Sequence, residues 1–143
     1  VMLRFHQRST KMKLQSVEDL VYNVTSYPDI QELMLAADIG ITDYSSWIYD
    51  FVLTGRPGFL YATDIDSYVD RTGFFYPLEE TPFPVCRNNQ ELTEQIRHFQ
   101  DTKYQEEAAA FVREKECVDD GHAADRFAEW FLHGKIEEAA ESV

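Results

Sequence analysis

Two adjacent serines, Ser45 and Ser46, stand where a strand is expected to give way to a helix. Ile39–Thr42 is a short apolar run, which is typical of a buried strand, and Trp47 begins a helix with a broad apolar face. Hydroxyl donors and unpaired backbone N–H groups at a helix start attract anions, because the helix dipole is positive there. One of the serines is also a natural N-cap, and capping is compatible with ligand binding at the same helix end. The pattern therefore predicts a site for a phosphate or diphosphate.

His6 directly follows the first predicted strand, Val1–Phe5. Ligands of parallel α/β sheets bind at the carboxyl ends of the strands, so His6 and residues 42–46 are expected to share one rim. There His6 would donate to a phosphate oxygen or act as a general acid, unless it is an ordinary surface histidine. Arg4 projects from the same face of the strand as His6, and it either faces the same phosphates or pairs with an acidic side chain of the sheet.

Four further polar residues lie close to these positions in the sequence. Thr42 ends the third predicted strand, and Asp43 either contacts a cation or a ribose or only closes the turn. Asp50 lies four residues after Ser46, so the two side chains can meet on one helical face. We expect Asp50 to be a buried acid that holds the serine turn in place. Thr25 ends the second predicted strand, where it either reaches a nucleotide or satisfies its own turn.

Short strands that alternate with helices are predicted to position these residues. The strands are Val1–Phe5, Val21–Thr25, Ile39–Thr42, Gly58–Ala62 and Val85–Cys86. The helices are Ile30–Ala37, which Pro28 and Asp29 open, one from the serine pair to Gly55, one capped by Asn88 or Asn89, one near Lys103–Cys117 capped by Thr102, and one near Ala123–Leu132. This alternation implies βαβ units, right-handed crossovers and a doubly wound α/β fold with a parallel sheet.

Two segments carry less regular patterns. Asp64–Tyr76 is rich in turn residues and is predicted to be a loop with at most a helical turn. The last helix has apolar residues at helical spacing, including Phe127 and Phe131, and is expected to pack that face on the core. The domain is expected to cover residues 1–134, and the acidic residues 135–143 are expected to form a frayed tail.

The composition excludes some classes of protein. The net charge of −13 argues against nonspecific nucleic-acid binding, which needs clustered Lys and Arg. No segment approaches the roughly 20 apolar residues of a membrane span. The two cysteines have no metal-ligand spacing, which favours a reduced, cytosolic protein. The chain starts directly in a strand without an initiator Met, so we expect it to be a fragment of a longer protein.

From residue 1 to about residue 126, the chain resembles the CDP-glycerol glycerophosphotransferase family, the teichoic acid polymerases and primases. The resemblance rests on four segments in a specific order. They are Leu3–His6, which looks like a strand ending in Arg-Pro-His-Pro, then Val24–Asp38, then Thr42–Phe51, which is similar to the family's most specific signature, and Asp64–Tyr76. The resemblance implies the C-terminal, nucleotide-donor half of a GT-B architecture, in which two Rossmann-like domains enclose the active site.

The implied enzyme moves glycerol phosphate, or a related polyol phosphate, from a CDP-linked donor to a teichoic-acid-type acceptor. The implied site residues are the catalytic His6, the donor-phosphate ligands Ser45, Ser46, Arg4 and Thr42, and the supporting residues Asp43, Asp50 and Thr25. No metal or other cofactor is implied. The acceptor would enter through a missing N-terminal domain, so the chain alone is expected to bind the donor weakly and to catalyse nothing. The full-length enzyme would work in the cytoplasm, at the inner face of the membrane.

Departures from the family pattern leave alternatives open. Phe5 and Gln7 replace the prolines that flank the family's histidine, and Phe83 replaces a glycine in a later turn. One alternative is a GT-B enzyme that uses a nucleotide sugar, although such enzymes often place a carboxylate where the serine pair stands. Another is an acidic α/β signalling or interaction module without catalysis. The first predicted strand lacks the acidic pair that receiver domains use to hold magnesium, which disfavours signalling.

Overall fold

The structure is a computed structural model that describes residues 1–6, 20–71, 73–74 and 76–133, with only the backbone of residues 69–71. The strands are β1 (Met2–Leu3), β2 (Tyr22–Asn23), β3 (Gly40–Thr42), β4 (Gly58–Tyr61) and β5 (Val85–Cys86). The helices are α1 (Ile30–Ala36), α2 (Trp47–Phe51), α3 (Ile65–Arg71), α4 (Asn89–Arg97), α5 (Asp101–Glu114) and α6 (Ala123–His133), with 3₁₀ turns at Val52–Thr54 and Leu78–Glu80. The expected α/β class with parallel strands is confirmed.

The described strands form two parallel sheets. β1 pairs with β2, and β3, β4 and β5 pair in that order. The sequence predicted one continuous sheet, but within the described residues β1 and β3 are not hydrogen-bonded to each other. Local patterns locate strands, whereas sheet continuity depends on long-range pairing, so this division was outside what the sequence could show.

A close approach holds β3 against α2. A Cβ atom on Gly40 would stand 2.8 Å from the ring of Phe51, so this position of β3 admits only a residue without a side chain. After α2, a 3₁₀ turn ends at Gly55, whose φ of 68° lies in the left-handed region that favours glycine. The predicted end of this helix at Gly55 is therefore confirmed.

The core lies between the larger sheet and α5. Its buried residues are Ile48, Val52, Leu60, Leu78, Phe83, Tyr104 and Ala108. The hydroxyl of Tyr104 accepts a hydrogen bond of 3.2 Å from the backbone N–H of Gly58. This N–H belongs to β4 but lies before the point where β5 begins to pair, so the buried phenol supplies the acceptor that a neighbouring strand would otherwise supply.

Helix starts were predicted with mixed success. Asp29 and Asn88 cap α1 and α4 through their side-chain oxygens, as the sequence indicated. Thr102 was the wrong cap, because α5 already begins at Asp101 and its N-cap residue, Gln100, makes no side-chain hydrogen bond. The segment predicted as a loop near Asp64 contains α3, a complete short helix.

The last helix differs most from expectation. No residue of α6 is buried, and Phe127 and Phe131 are 63% and 73% exposed. Its apolar face was predicted to pack on the core, but the core helix is α5, which contributes Tyr104 and Ala108. An amphipathic pattern shows that a helix face suits an apolar partner without showing which partner it meets.

The predicted tail, 135–143, lies outside the described residues. Within the described ranges, no helix is long and apolar enough to cross a membrane.

Candidate functional site

A cleft of about 1010 Å³ is lined by residues of β1 and β3 and by residues that follow the carboxyl ends of both strands. Six of the predicted site residues line it, and they come from the ends of the two strands: Arg4, His6, Thr42, Asp43, Ser45 and Ser46. The expectation that these two strand ends share one rim is met in the geometry. Helix α1 adds apolar lining to the cleft, including Leu33 and Met34.

Arg4 and His6 form the β1 side of the rim. The guanidinium of Arg4 donates a hydrogen bond of 2.7 Å to the carbonyl of Tyr27. Among the described contacts, Arg4 therefore does not pair with an acidic side chain of the sheet, which was the alternative prediction. His6 is exposed at the mouth of the cleft. A cationic guanidinium and an imidazole at one rim suit an anionic ligand.

Thr25 supports this side of the rim from outside the cleft. Its hydroxyl accepts a hydrogen bond of 3.1 Å from the backbone N–H of Phe5, the residue before His6. Its own N–H donates to the side chain of Asn23 at 3.0 Å. Thr25 is not among the described residues that line the cleft. The geometry thus gives Thr25 a positioning contact and no direct path to a nucleotide.

Ser45 and Ser46 form the opposite side of the rim, and both are exposed. Ser46 occupies the N-cap position of α2, but its backbone is already helical and its hydroxyl makes no capping hydrogen bond. Because α2 has only five residues, its dipole is a weaker source of attraction than the sequence suggested. Any attraction for an anion at this rim would therefore come mainly from side chains, and the Ser46 hydroxyl is not used for capping.

The acidic residues of this region stabilise local structure. One Asp43 carboxylate oxygen accepts a hydrogen bond of 2.7 Å from the N–H of Tyr44 and one of 3.4 Å from the hydroxyl of Thr42. This favours the interpretation in which Asp43 closes the turn. The prediction for Asp50 was wrong: it is exposed, does not line the cleft and has no hydrogen bond to Ser46 among the described contacts. The buried face of α2 is occupied by apolar side chains, so Asp50 points to solvent.

The site includes an aromatic wall that the sequence reasoning did not assign. The rings of Tyr44 and Tyr68 stack with centroids 3.8 Å apart, and both residues line the cleft. Phe74 extends the stack at 5.4 Å from Tyr68. The Tyr44 hydroxyl donates to a carboxylate oxygen of Asp64 at 2.8 Å. Burial, followed by this hydrogen bond, raises the pKa of Tyr44 to about 12.

A signal for this wall was present in the sequence. Asp64 and Tyr68 both belong to the fourth segment that carried the family resemblance, but their contacts with Tyr44 join residues at least 20 positions apart, which a local pattern does not show. The side chain of Arg71, which belongs to the same segment, lies outside what the structure describes.

Comparisons with known proteins agree with this geometry. The family model described as CDP-Glycerol:Poly(glycerophosphate) glycerophosphotransferase matches residues 1–132. A teichoic acid glycerol-phosphate transferase of Staphylococcus aureus (strain NCTC 8325 / PS 47) is 32% identical over 133 residues, which are 90% of this chain and 34% of that protein. A teichoic acid poly(glycerol phosphate) polymerase of Staphylococcus epidermidis is 32% identical over 96% of this chain and 20% of its own length.

Solved structures agree as well. The wall teichoic acid polymerase TagF superposes with a TM-score of 0.77 at 32% identity, over 92% of this chain and 33% of that one. A TagF variant soaked with CDPG superposes with a TM-score of 0.76. The chain thus spans about a third or less of the relatives that it matches. With a family model that covers nearly its whole length, the chain belongs to the CDP-glycerol:poly(glycerophosphate) glycerophosphotransferase family.

Proposed function

We propose that this chain is the C-terminal, donor-binding part of a transferase that moves glycerol phosphate from CDP-glycerol to a teichoic-acid-type acceptor. The observation that carries the proposal is the single cleft that joins the rim residues of β1 to the serine turn after β3. The domain would comprise residues 1–134, and the second wall of the active site would come from the rest of the enzyme. The full-length enzyme would work at the cytoplasmic face of the membrane.

The rim has the chemistry that a diphosphate needs. Arg4 and His6 supply N–H donors on one side, and the hydroxyls of Ser45 and Ser46 supply O–H donors on the other. Donors on both sides of a cleft can hold the two phosphates of CDP without a metal ion between them. Thr42 would contribute through its backbone and its position, since the residue is buried and its hydroxyl donates to Asp43.

Phosphoryl transfer depends mainly on positioning and on stabilising charge. In the proposed reaction the acceptor hydroxyl attacks the β-phosphorus of CDP-glycerol, a new P–O bond forms, and the bond to the bridging oxygen breaks. Negative charge then builds on CMP as it leaves. His6, at the mouth of the cleft, would donate a hydrogen bond or a proton to that leaving group.

Calorimetric titration of the chain with CDP-glycerol, CDP and UDP-glucose tests this proposal. We expect both cytidine ligands to bind and UDP-glucose not to bind. The double change Ser45→Ala and Ser46→Ala, and the single change His6→Ala, should each weaken CDP binding about tenfold or more, which corresponds to the loss of one or two hydrogen bonds to a charged group. A preference for UDP-glucose would favour the nucleotide-sugar alternative and contradict the proposed donor.

Matched controls come from the surface of α4, away from the cleft. His98→Ala removes an exposed histidine that pairs only with Glu94 within the described part of the chain, and Thr93→Ala removes a hydroxyl that donates to a backbone carbonyl. Both controls should bind CDP as the unaltered chain does. If the cleft variants and these controls had the same affinity, the assignment of the site would be wrong.

A further inference from the structure

The aromatic wall adjoins the serine turn, on the part of the cleft that belongs to the larger sheet. Tyr44 directly precedes Ser45 in the chain, and both residues line the cleft. Tyr68 also lines it and belongs to α3, which follows β4, the strand that pairs with β3. His6 instead follows β1, which pairs with β2. The wall and His6 are therefore supplied to the cleft by different sheets, and the wall is the one next to the serines.

Contacts within the protein hold the wall in place. The rings of Tyr44 and Tyr68 stack at 3.8 Å, and Phe74 packs beside both of them. Asp64 starts α3, because its backbone carbonyl accepts a hydrogen bond of 3.0 Å from the N–H of Tyr68. Its carboxylate accepts from the Tyr44 hydroxyl at 2.8 Å. The two rings are thus positioned before any ligand arrives, which lowers the entropy cost of binding against them.

The wall combines an aromatic surface with a hydrogen-bond acceptor. The hydroxyl proton of Tyr44 is donated to Asp64, and the raised pKa of Tyr44 keeps that proton in place at neutral pH. Any further hydrogen bond of this oxygen is therefore one that it accepts. The negative charge of Asp64 disfavours a phosphate at the wall. A group with hydroxyl donors on a short carbon chain, which is the chemistry of a polyol, suits such a surface.

The proposed reaction orients the donor across the cleft. If His6 acts on the departing CMP, the α-phosphate and the cytidine lie toward β1. The apolar residues Phe5, Val24 and Ile30 line the cleft there. The β-phosphate then lies at the serine turn. The group esterified to this phosphate extends away from His6, and the lining residues next to the serines are those of the aromatic wall.

We infer that the aromatic wall is the subsite for the polyol of the donor, in which the Tyr44 oxygen accepts a hydrogen bond from a polyol hydroxyl and the ring of Tyr68 packs against the carbon chain. The inference rests on the proposed function and assigns the residues that recognise the transferred group. It makes the wall a determinant of specificity for polyol esters of CDP over simple esters.

Calorimetric titration with two esters of CDP tests the inference. CDP-glycerol and the methyl ester of CDP have the same cytidine and the same phosphate charges, and they differ only in the polyol. Tyr44→Phe should weaken CDP-glycerol binding about threefold to tenfold, as expected for one lost neutral hydrogen bond, and leave the methyl ester unchanged. Tyr68→Leu should show the same selective loss, because leucine has no flat ring. Tyr68→Phe keeps the ring and should bind both esters normally.

Proton NMR of the bound donor shows which of its ends meets the wall. Protons that lie over an aromatic face are shifted upfield by the ring current. The glycerol protons of CDP-glycerol should shift upfield on binding, and they should shift less with Tyr68→Leu. The cytosine H5 and H6 protons should behave alike in both proteins. Tyr22→Phe is the matched control, since Tyr22 is 66% exposed and is not among the described residues that line the cleft.

Three outcomes would overturn the inference alone. Equal loss of both esters in the wall variants would make the wall a structural support without a polyol contact. Unchanged affinity for both esters would show that the wall touches neither. A response of the cytosine protons in place of the glycerol protons would place the base at the wall. In each case the chain still binds a CDP ester, so the proposed function holds. If the unaltered chain bound neither ester, the proposed function would fail and this inference with it.

Discussion

The hydroxyl of Thr25 lies 3.1 Å from the backbone nitrogen of Phe5 and accepts its hydrogen bond. This contact joins the end of β2 to the residue before His6, so a side chain outside the cleft sets the position of the rim. The contact is part-buried, and the N–H of Phe5 would lose its described partner if the hydroxyl were removed.

Thr25→Val should therefore weaken CDP binding about threefold to tenfold while lowering the free energy of unfolding by about 1 kcal/mol. Valine has nearly the same shape as threonine, so the change isolates the hydrogen bond. Titration calorimetry and urea unfolding measure the two effects. Thr25→Ser keeps the hydroxyl and should retain affinity. Equal affinity in the valine and serine variants would remove the positioning role.

Ser46→Ala should separate ligand binding from helix capping. Because the Ser46 hydroxyl makes no capping hydrogen bond, its removal should change the free energy of unfolding by less than about 0.5 kcal/mol. Asn88→Ala is the matched control, since Asn88 caps α4 by accepting from the N–H of Glu91 at 2.9 Å, and its loss should cost about 1 kcal/mol. A cost for Ser46→Ala as large as that for Asn88→Ala would mean that its hydroxyl does cap α2.

Two contacts of Tyr44 in the aromatic wall should contribute separately to the free energy of unfolding, the stacking of its ring and the hydrogen bond of its phenol. Tyr44→Phe keeps the stack on Tyr68 and loses the hydrogen bond to Asp64, at a cost of about 0.5–1.5 kcal/mol. Tyr44→Ala also loses the ring pair, for which a further 0.5–1.5 kcal/mol or so is expected. Urea unfolding of the two variants measures the difference. Identical stabilities would show that the stack contributes nothing.

Stability should fall at alkaline pH because of the buried phenol of Tyr104. Burial raises the pKa of Tyr104 to about 12, whereas an unfolded tyrosine titrates near pH 10. Below about pH 10 both states hold the proton and the stabilisation is complete. As pH rises from about 10 to 12, unfolding releases a proton that the folded chain retains, so higher pH favours unfolding, by roughly 2–3 kcal/mol at the upper end.

Tyr104→Phe provides the control for this pH dependence. At neutral pH it should cost about 1–3 kcal/mol, because the buried N–H of Gly58 loses its acceptor. The difference between the variant and the unaltered chain should shrink as pH rises toward 12, since the variant has no proton to release there. Urea unfolding across the pH series follows both. A constant difference at every pH would contradict the assignment to Tyr104.

Gly40→Ala should destabilise the chain by about 1–3 kcal/mol, because the added methyl group would overlap the ring of Phe51 and force β3 away from α2. Thermal unfolding measures the loss. Gly121→Ala is a useful contrast, since its φ of 80° strains any side chain but no atom lies within 4 Å of the new methyl group. Partial rescue of Gly40→Ala by Phe51→Leu would tie the loss to that one contact.

The sequence by itself determined the local structure and most of the rim. Apolar runs, Asp29, Asn88 and Gly55 marked strands and helix ends correctly, because caps and turns depend on residues within a few positions of one another. The order of the motifs identified the family. The rule that ligands bind at the carboxyl ends of parallel strands predicted that His6 and the serine turn share one cleft.

Only the tertiary structure decided which sides of these elements meet. It directed Asp50 to solvent, placed Tyr44 against Tyr68, and left Phe127 on an uncovered helix. It also divided the described strands into two sheets. These outcomes depend on contacts between residues far apart in the chain. Several arrangements of the elements could bury apolar side chains and pair backbone groups, and a local sequence pattern does not show which of them is the most stable.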